Sequence, residues 1–352
     1  MEQKLRVAIV GVGGMGEGHL ESYSRLPHVE VVAICDINQE RLDFVGEKHG
    51  IEKRYLSETE MLAKEELDAV SVCTWNSAHA KCSIEALNAG KHVLCEKPMA
   101  CSAEEATEML EAAKKNNRLL MIGFVMRFYS ETKVAMDYIE GGYLGDIYYS
   151  KATYLRRHGS PGGWFTNKSM AGGGPIIDLG VHVIDQTRYL MGNPRPVSVY
   201  AMTSERMKDR SHLKAGVEWL SQSKGLEQVF DVEDFGVALI RYEGGKGTLL
   251  ETSYDLNGQS QGKKELFGTK GGIKMEGKDF TIFTELNDYL VDVTPQVNLS
   301  NGLSKIDSEI AHFVDCIQNG TACIAPGEDG LTIMRILDAI YESARTGREV
   351  LL

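Results

Sequence analysis

The sequence lacks the features that would place the chain in a membrane or on a nucleic acid. No apolar stretch approaches the roughly 20 residues that cross a bilayer, and the polar start MEQKLR predicts no signal peptide. Acidic residues outnumber basic ones by 50 to 38, and the net charge of −12 disfavours nucleic acid or an anionic membrane as the main partner. We therefore expect a cytoplasmic protein whose main partner is neither a nucleic acid nor a membrane.

Cysteine is present, but it shows neither a disulfide framework nor a metal-binding pattern. The seven cysteines form an odd set without any C-x-x-C pair. Cys35, Cys73 and Cys95 lie in apolar, strand-like runs, so we expect them to be small buried side chains in a reducing compartment. The sequence therefore predicts no bound metal.

The order of apolar segments predicts an α/β protein with two domains. Over 1–125, short apolar strands alternate with amphipathic helices, which indicates a doubly wound parallel sheet covered on both faces. Over 126–326 the strands become longer and richer in turns, which indicates a mostly antiparallel sheet. The polar stretch 205–228 is expected to be an exposed insertion, and the segment 327–352 is expected to pack back on the first domain.

The segment GVGGMG at 11–16 matches the dinucleotide fingerprint G-x-G-x-x-G. It stands between an apolar strand and a helix, which is the context that this chemistry needs. Gly11 permits the tight turn, Gly13 lets a pyrophosphate approach the backbone, and Gly16 lets the helix pack on the strand. Because a helix start offers free N–H groups to phosphates, we expect the whole turn to hold the cofactor. The residues concerned are Gly11, Gly13, Gly14, Met15 and Gly16.

Asp36 ends the second predicted strand, where an acid can hydrogen-bond both hydroxyls of the adenosine ribose. A 2′-phosphate at that place would meet a like charge. Neither Ile37 nor Asn38 supplies an arginine to reverse this preference, and Arg41 is the nearest one. The sequence therefore predicts NAD rather than NADP.

The stretch HVLCEKPMA at 92–100 reads as an apolar strand that ends in Glu96, Lys97 and Pro98. One interpretation is a surface ion pair between Glu96 and Lys97 at a strand end. The other is that Pro98 ends the strand and turns Lys97 into a cleft. Open α/β sheets bind their ligands at the carboxyl ends of parallel strands, which favours the second interpretation.

With these motifs the chain resembles the glucose–fructose oxidoreductase / inositol dehydrogenase / MocA (Gfo/Idh/MocA) family over nearly its whole length. The other matching segments are TWNSAHAKCSIEALNAGKHVLCEKP (74–98), GFVMRF (123–128) and GGGPIIDLGVHVID (172–185). The resemblance implies a Rossmann domain, then an α/β domain with a large, mostly antiparallel open sheet that often serves as an oligomer interface. It implies NAD-dependent oxidation of a secondary alcohol of a cyclitol, sugar or glycoside by a homodimer or homotetramer.

The resemblance also assigns catalytic roles. Lys97 would lie between the nicotinamide and the substrate, and the family's habit favours a cis bond from Lys97 to Pro98. His182 would be the general base, since the ordinary histidine pKa of about 6.5 suits that role. Asp178, four residues earlier on the same predicted helix, would orient His182 or bind a substrate hydroxyl. Without the resemblance, Asp178 also reads as a first-turn acid favoured by the helix dipole, and His182 as a polar group satisfied inside an apolar helix.

Further cofactor contacts follow from the same resemblance. Thr74, Asn76 and His79 match residues that commonly line the nicotinamide ribose, and Glu96, Lys97 and Arg127 complete the set. Trp75 replaces the family's usual proline, and it either stacks on the cofactor or packs in the core. Val125 and Met126 also depart from the family, which weakens any substrate role for those two positions.

The loop YLRRHGSPGGWFTNK (154–168) carries groups that can bind a sugar: the polar side chains of Arg156 and Arg157 and the aromatic ring of Trp164. Related sugar dehydrogenases bring this region to the substrate, so these residues join Lys97, Asp178 and His182 as expected substrate ligands. The alternative is a flexible surface loop.

Two other functions stay open within the same fold. A redox glycoside hydrolase would keep NAD bound, oxidise the sugar transiently and show no net NADH. A non-catalytic regulator would bind NAD and turn nothing over. The intact Glu96-Lys97-Pro98 motif, together with Asp178 and His182, argues against the regulator.

Replacing Asp36 by alanine tests the predicted cofactor preference. We expect Asp36→Ala to weaken NAD binding more than NADP binding, because it removes both the ribose acceptor and the charge that repels a 2′-phosphate. Titration of the purified variant with each dinucleotide measures both affinities. An equal loss for both would contradict this role of Asp36.

Overall fold

A parallel sheet forms the centre of the first of two units into which the chain divides. The first unit comprises Met1–Phe128 with Gly302–Leu331, and the second unit comprises Tyr129–Asn301 with Thr332–Leu352. The computed structural model describes residues 4–207, 210, 212–218, 220–221, 229–277, 279–296 and 304–352. Part of the predicted exposed insertion at 205–228 therefore lies outside the described residues.

The strands of the first sheet are mostly short apolar runs that are buried along nearly their whole length. They are β1 (Leu5–Val10), β2 (Val29–Cys35), β3 (Lys53–Tyr55), β4 (Ala69–Val72), β5 (His92–Glu96) and β6 (Leu120–Gly123). Their order in the sheet is β3-β2-β1-β4-β5-β6, and every pair is parallel. The order reverses between β1 and β4, and such a switch point is where open α/β sheets bind ligands.

Helices join these strands, and several begin and end where local sequence signals predict. The Asn38 side chain accepts a hydrogen bond from the Arg41 N–H at the start of one helix, and Gly50 ends that helix with a φ of 69°. Ser102 caps a later helix by accepting from the Glu105 N–H. The helices are α1 (Gly14–Ser24), α2 (Gln39–His49), α3 (Glu58–Lys64), α4 (Asn76–Asn88) and α5 (Ala103–Asn116).

The second unit is built on a larger sheet. Its strands are β7 (Ile147–Leu155), β8 (Pro196–Ser204), β9 (Phe235–Tyr242), β10 (Gly247–Ser253), β11 (Lys263–Gly268), β12 (Gly271–Glu276), β13 (Asp279–Leu286), β14 (Tyr289–Val293) and β15 (Val350–Leu351). The order is β14-β13-β12-β11-β7-β10-β9-β8-β15. Neighbouring strands are antiparallel except β7 and β10, which are parallel. The predicted α/β architecture with a mostly antiparallel second sheet is confirmed.

One face of the second sheet is covered and the other is open, because burial alternates along its strands. Val199 and Ile240 are buried and pair with each other, whereas the neighbouring pair Tyr200 and Leu239 is 56% and 45% exposed. The helices of this unit are α6 (Ser130–Glu140), α7 (Lys168–Ala171) and α8 (Val181–Leu190). Helix α8 packs on β7 and β10, and α6 packs on α8.

The chain closes with α9 (Lys305–Asn319) and α10 (Gly327–Thr346). Helix α9 packs against α1 and therefore groups with the first unit, whereas the predicted limits assign 304–326 to the second domain. Beyond Leu331 the chain groups with the second unit, where β15 pairs with β8. No helix in the described part of the chain is both long and apolar enough to cross a membrane.

Some elements are not predicted by the sequence patterns. Strand β3 is the polar tripeptide KRY, and β12 begins with two glycines, so neither carries a strand signal. Helix α3 has only seven residues, and β13 also lies outside the predicted strands. The predicted helix that carries Asp178 and His182 is present, but its first part, Ile176–Gly180, is a π-helical turn that precedes α8.

Candidate active site

The glycine-rich turn after β1 has the backbone space that a dinucleotide needs. Gly11 has a φ of 84°, and a Cβ there would lie 2.7 Å from the Cys73 carbonyl carbon. A Cβ at Gly16 would overlap the Gly11 carbonyl oxygen, so packing alone requires glycine at both positions. A Cβ at Gly13 would meet no described atom within 4 Å. Open space at a glycine of this motif is what the approach of a pyrophosphate requires.

The start of α1 fits a phosphate group as well. The helix begins at Gly14, directly after the turn, and its N-cap residue Gly13 provides no side-chain hydrogen bond. The first N–H groups of a helix carry a partial positive charge and attract anions. Met15 follows in this first turn and is 42% exposed. The residues of the turn therefore fit a dinucleotide phosphate.

Asp36 lies beside this turn at the end of β2. Its carboxylate accepts the N–H groups of Val12 and Asn38, each at 2.8 Å. Asp36 thus holds the turn as well as presenting a negative charge. The loss of NAD affinity in Asp36→Ala will include a part common to NADP, so the ratio of the two affinities is the informative quantity.

Arg41, the arginine nearest to Asp36 in sequence, is engaged elsewhere. Its Nε donates to the Val12 carbonyl at 2.7 Å, and its guanidinium pairs with Glu17. Burial opposes ionisation of Glu17, but hydrogen bonds from Lys48, His49 and Arg41 lower its pKa to about 2. Glu17 therefore stays charged and keeps Arg41 in this pair, which agrees with the predicted preference for NAD.

The turn after β5 contains a buried carboxylate and not a surface ion pair. Glu96 is 7% exposed, and its Oε1 lies 2.9 Å from His19 Nε2. The backbone N–H of Lys97 donates to Glu96 Oε2 at 3.1 Å, and the Lys97–Pro98 bond is cis, as the family resemblance favours. Burial works against the charge, but the hydrogen bond from His19 and the nearby positive charge lower the pKa of Glu96. The carboxylate therefore remains an acceptor that fixes the Lys97 turn.

His79 ties the end of β4 to the same turn. Its Nδ1 lies 2.7 Å from the Pro98 carbonyl and its Nε2 lies 3.1 Å from the Thr74 carbonyl. Burial lowers the pKa of His79, so the ring is neutral and donates to one of these carbonyls, with the shorter contact to Pro98. Asn76, at the start of α4, is buried, and Trp75 just before it is half-buried. His79 therefore joins the segments after β4 and β5, and the predicted cofactor contacts of Thr74, Asn76 and His79 stay predictions. The choice between stacking and packing for Trp75 stays open.

Arg127 occupies a structural network of the first unit. The side chain is 4% exposed, its Nη1 donates to the Ile324 carbonyl, and the same nitrogen lies 2.8 Å from Asp329 Oδ2. Its guanidinium also lies 5.1 Å from the Phe124 ring centroid. Arg127 therefore joins the segment after β6 to the chain that leads into α10. Its predicted contact with the cofactor stays a prediction.

In the second unit, Asp178 and His182 lie on the helical segment formed by the π turn and α8. Asp178 is buried in the π turn, and Tyr254 donates its hydroxyl hydrogen to Asp178 Oδ2 at 3.0 Å. Burial is the main cause that raises the pKa of Tyr254 well above its usual value, and the charge of Asp178 adds to it. The phenol therefore stays a donor. His182 follows in the first turn of α8 and is half-buried. Tyr254, just after β10, thus contacts a predicted catalytic residue, and no sequence motif points to it.

A second carboxylate explains the glycine run before that helix. Glu233 accepts the N–H groups of Gly174 at 3.0 Å and Ile176 at 3.2 Å, and the Tyr341 hydroxyl at 2.9 Å. A Cβ at Gly173 would overlap the Tyr341 hydroxyl, and one at Gly174 would overlap the Glu233 carbonyl. Burial raises the pKa of Glu233, although these hydrogen bonds act in the opposite direction. Glu233 thus fixes the start of the segment that carries Asp178 and His182.

In the predicted sugar-binding loop, some of the side chains expected to bind a sugar already contact other groups of the protein. The Arg156 guanidinium donates to the Gly159 carbonyl at 3.1 Å, and Trp164 stacks on Phe165 with ring centroids 3.8 Å apart. Arg157 is exposed, and Val125 and Met126 lie in a 3₁₀ turn of the first unit. The substrate contacts of Arg156, Arg157 and Trp164 stay predictions.

The first unit is thus a Rossmann unit that carries the dinucleotide fingerprint at the switch point of its sheet, which is the arrangement of nucleotide-binding proteins. Residues 5–124 match the GFO_IDH_MocA oxidoreductase family, NAD-binding Rossmann fold, and residues 132–274 match the GFO/IDH/MocA C-terminal domain. The chain belongs to the Gfo/Idh/MocA family, and it is an NAD-dependent oxidoreductase.

Relatives match over the full chain. D-glucoside 3-dehydrogenase of Escherichia coli is 34% identical, with 98% of this chain and 97% of that protein aligned. Myo-inositol 2-dehydrogenase of Thermotoga maritima is 27% identical, over 99% of this chain and 98% of its own. The structure of levoglucosan dehydrogenase with NADH and levoglucosan has a TM-score of 0.86 and 27% identity, with 99% of each chain covered.

Removing the Glu233 carboxylate should destabilise the second unit. Glu233→Ala leaves two buried backbone N–H groups and the Tyr341 hydroxyl without their acceptor, so we expect a loss of roughly 2–4 kcal/mol in the free energy of unfolding. Urea unfolding followed by circular dichroism measures the loss. The matched control Glu285→Ala removes an exposed glutamate of β13 and should stay within about 0.5 kcal/mol of the wild type. Equal stability of the two variants would contradict this role of Glu233.

Proposed function

We propose that this protein oxidises one secondary hydroxyl of a sugar, glycoside or cyclitol, with NAD as the hydride acceptor. The observation that carries the proposal is the turn after β5. There a buried carboxylate and His79 hold the backbone around Lys97 at the carboxyl edge of the sheet that also carries the dinucleotide turn. In an open α/β sheet this edge is where ligands bind.

Among these substrate classes, we infer that a glucoside or a related pyranose is the best candidate. The relatives named for D-glucoside and levoglucosan oxidation both act on six-carbon sugars, and the first shares 34% of its residues with this chain. The inositol dehydrogenase relative supports cyclitols as the neighbouring class. Arg156, Arg157 and Trp164 supply hydrogen-bond donors and an aromatic face, which are the groups that bind sugars.

In this mechanism the chain's own residues orient the hydroxyl and move its proton. Lys97 donates a hydrogen bond to the reacting hydroxyl, and His182 accepts its proton as the general base. Asp178, held by the Tyr254 hydroxyl, orients His182 or binds a neighbouring substrate hydroxyl. NAD supplies the hydride acceptor when it is bound. Holding both reactants in one orientation contributes much of the acceleration.

The residues proposed to hold the cofactor, which are the glycine turn, Asp36, Thr74 and Asn76, belong to the first unit. Of the residues proposed to act on the substrate, Lys97 belongs to the first unit, and Asp178 and His182 belong to the second. We also infer a cytoplasmic location, which is supported by the seven cysteines: all are described, and all are free thiols.

A nicotinamide-absorbance screen tests the proposed reaction. The wild type is incubated with NAD or NADP and a panel of methyl glucosides, levoglucosan, aldoses and inositols. We expect NADH with at least one of them, and turnover at least about a hundredfold lower in Lys97→Ala and in His182→Ala. His182→Ala should keep the NAD affinity of the wild type. Lys115→Ala, which removes an exposed lysine of α5, serves as the matched control and should behave like the wild type.

Other outcomes of the screen point to the two alternatives. Release of an aryl group from an aryl glucoside without net NADH would indicate a redox glycoside hydrolase. Tight NAD binding without any turnover would indicate a regulator. Unchanged turnover in His182→Ala would contradict the role of His182 as the base.

We further propose that the open face of the second sheet joins copies of this chain in a dimer or tetramer. Tyr200, Leu239, Leu249 and Lys151 pair in register across β8, β9, β10 and β7. Tyr200 and Leu239 are large apolar side chains that are half-exposed on the open face of the sheet. In a two-fold symmetric dimer the same face of both subunits would bury these side chains against each other. The apolar strip formed by Tyr200, Leu239 and Leu249, with Lys151 at its end, supports an interface between identical subunits.

A charge placed on this strip should separate the subunits. We expect Leu239→Glu to lower the mass measured by light scattering during size-exclusion chromatography, because it buries a carboxylate in an apolar interface. Leu56→Glu, at an exposed leucine of the first unit, is the matched control and should keep the oligomer. A monomeric wild type would contradict the proposed interface.

A further inference from the structure

A buried polar cluster adjoins the Lys97 turn in the first unit, and two of its three members, His19 and Glu309, have no part in the proposed mechanism. His19 on α1, Glu96 at the end of β5 and Glu309 on α9 are 0%, 7% and 0% exposed. One ligand atom from each of the three lies within 4.8 Å of the others. Two carboxyl groups and one imidazole thus share a small space closed to solvent.

Most of the cluster has defined hydrogen bonds. His19 Nε2 lies 2.9 Å from Glu96 Oε1, and His19 Nδ1 lies 3.3 Å from the Ser71 hydroxyl oxygen. The Ser71 hydroxyl lies 2.9 Å from the Tyr23 hydroxyl. Glu96 Oε2 accepts the Lys97 N–H at 3.1 Å. The cluster is therefore joined to the turn that presents Lys97.

Glu309 is the exception. Neither of its carboxyl oxygens has a hydrogen-bond partner among the described residues, although both oxygens are buried. A buried carboxylate without a hydrogen bond is strongly disfavoured, and a second negative charge beside Glu96 would add repulsion. A neutral carboxylic acid carries no charge to repel Glu96, and its O–H is a donor for a Glu96 oxygen, since ligand atoms of the two side chains lie within 4.8 Å of each other.

The charges around Glu309 support the neutral form. Burial is the main cause that raises the pKa of Glu309 well above its usual value, and the negative charge of Glu96 adds to it. The positive charge of Lys305, on the same helix, acts in the opposite direction. On the other elements, the groups that face the cluster include His19 and Tyr23 on α1, Cys73 after β4, His79 on α4 and Lys97 after β5. Burial raises the pKa values of both Tyr23 and Cys73, so these two groups add no negative charge.

We propose that Glu309 is a neutral acid which shares its proton with the Glu96 carboxylate, and that this pair positions Lys97. The proton stays between two carboxyl oxygens, and no net transfer occurs. Glu309 is thus a positioning residue: its donor keeps Glu96 oriented, and Glu96 in turn holds the backbone N–H of Lys97. The effect on turnover rests on the proposed role of Lys97, whereas the protonation of Glu309 does not.

Infrared spectroscopy tests the protonation directly. At neutral pH the wild type should show a buried carboxylic-acid carbonyl band that is missing in Glu309→Gln. If this variant does not fold, wild type with isotope-labelled glutamate should still show a neutral glutamate carboxyl signal in its carbon NMR spectrum that persists well above pH 7, beyond the range in which Glu58, with a pKa of about 7, titrates. The absence of a neutral glutamate would overturn the proposal, and so would a stability loss on chelator treatment, which would indicate a bound cation.

The pH dependence of stability gives a second test. The folded state keeps the Glu309 proton to a higher pH than the unfolded chain, so this group stabilises the fold in acid and loses that contribution as pH rises through its raised pKa. The wild type should therefore lose stability relative to Glu309→Gln between acidic and alkaline pH. A difference between the two proteins that does not change with pH would contradict the neutral acid.

Kinetics separate positioning from simple packing. Glu309→Leu keeps bulk but loses the donor, and it should lower kcat by about tenfold with little change in the KM for NAD. Glu309→Gln restores a donor and should recover kcat to within about threefold of the wild type. Equal kcat values in the two variants would overturn the positioning role. If the infrared band is present but no substrate is turned over, the proposed function fails and the proton-sharing pair stands.

Discussion

The hydrogen bonds of the buried Glu96 carboxylate are the interactions that hold the carboxyl edge of the parallel sheet in place around Lys97. The carboxylate accepts the Lys97 N–H and contacts His19, while His79 holds the Pro98 carbonyl. A carboxylate this deeply buried is tolerated only with such partners. The same bonds that keep it charged also fix the direction of the Lys97 turn, so one set of contacts serves both stability and the site.

The strand order of the parallel sheet brings the segments of this site close together. This order places β4 between β1 and β5, so the segments that follow these three strands meet at one edge. The glycine turn follows β1, Thr74 follows β4 and Lys97 follows β5. His79 then bridges the last two segments through their carbonyls, and His19 on α1 reaches Glu96. In the second unit Glu233 has the role that Glu96 has in the first: it is a buried carboxyl group that accepts backbone N–H groups, here those of the glycine run before Asp178 and His182.

Much of the fold can be predicted from signals between residues that are close in sequence, whereas contacts between distant residues cannot. The caps at Asn38 and Ser102 depend on residues three positions away, so the sequence alone predicts them. The glycine fingerprint likewise lies in one strand–turn–helix segment. By contrast, His19 and Glu96 are 77 residues apart, and Glu233 and Tyr341 are 108 apart. No periodicity connects such positions, so the sequence alone does not distinguish a surface ion pair at Glu96 from the buried carboxylate that the structure shows.

Hydride transfer from a sugar carbon is the central chemical claim, and isotope transfer tests it most directly. A glucoside deuterated at its ring carbons is incubated with the protein and NAD, and the cofactor is then examined by mass spectrometry. We predict that the reduced nicotinamide gains one deuterium from the sugar. Reduced cofactor without the label, or a glucoside cleaved with its label retained and the cofactor still oxidised, would contradict a net dehydrogenase.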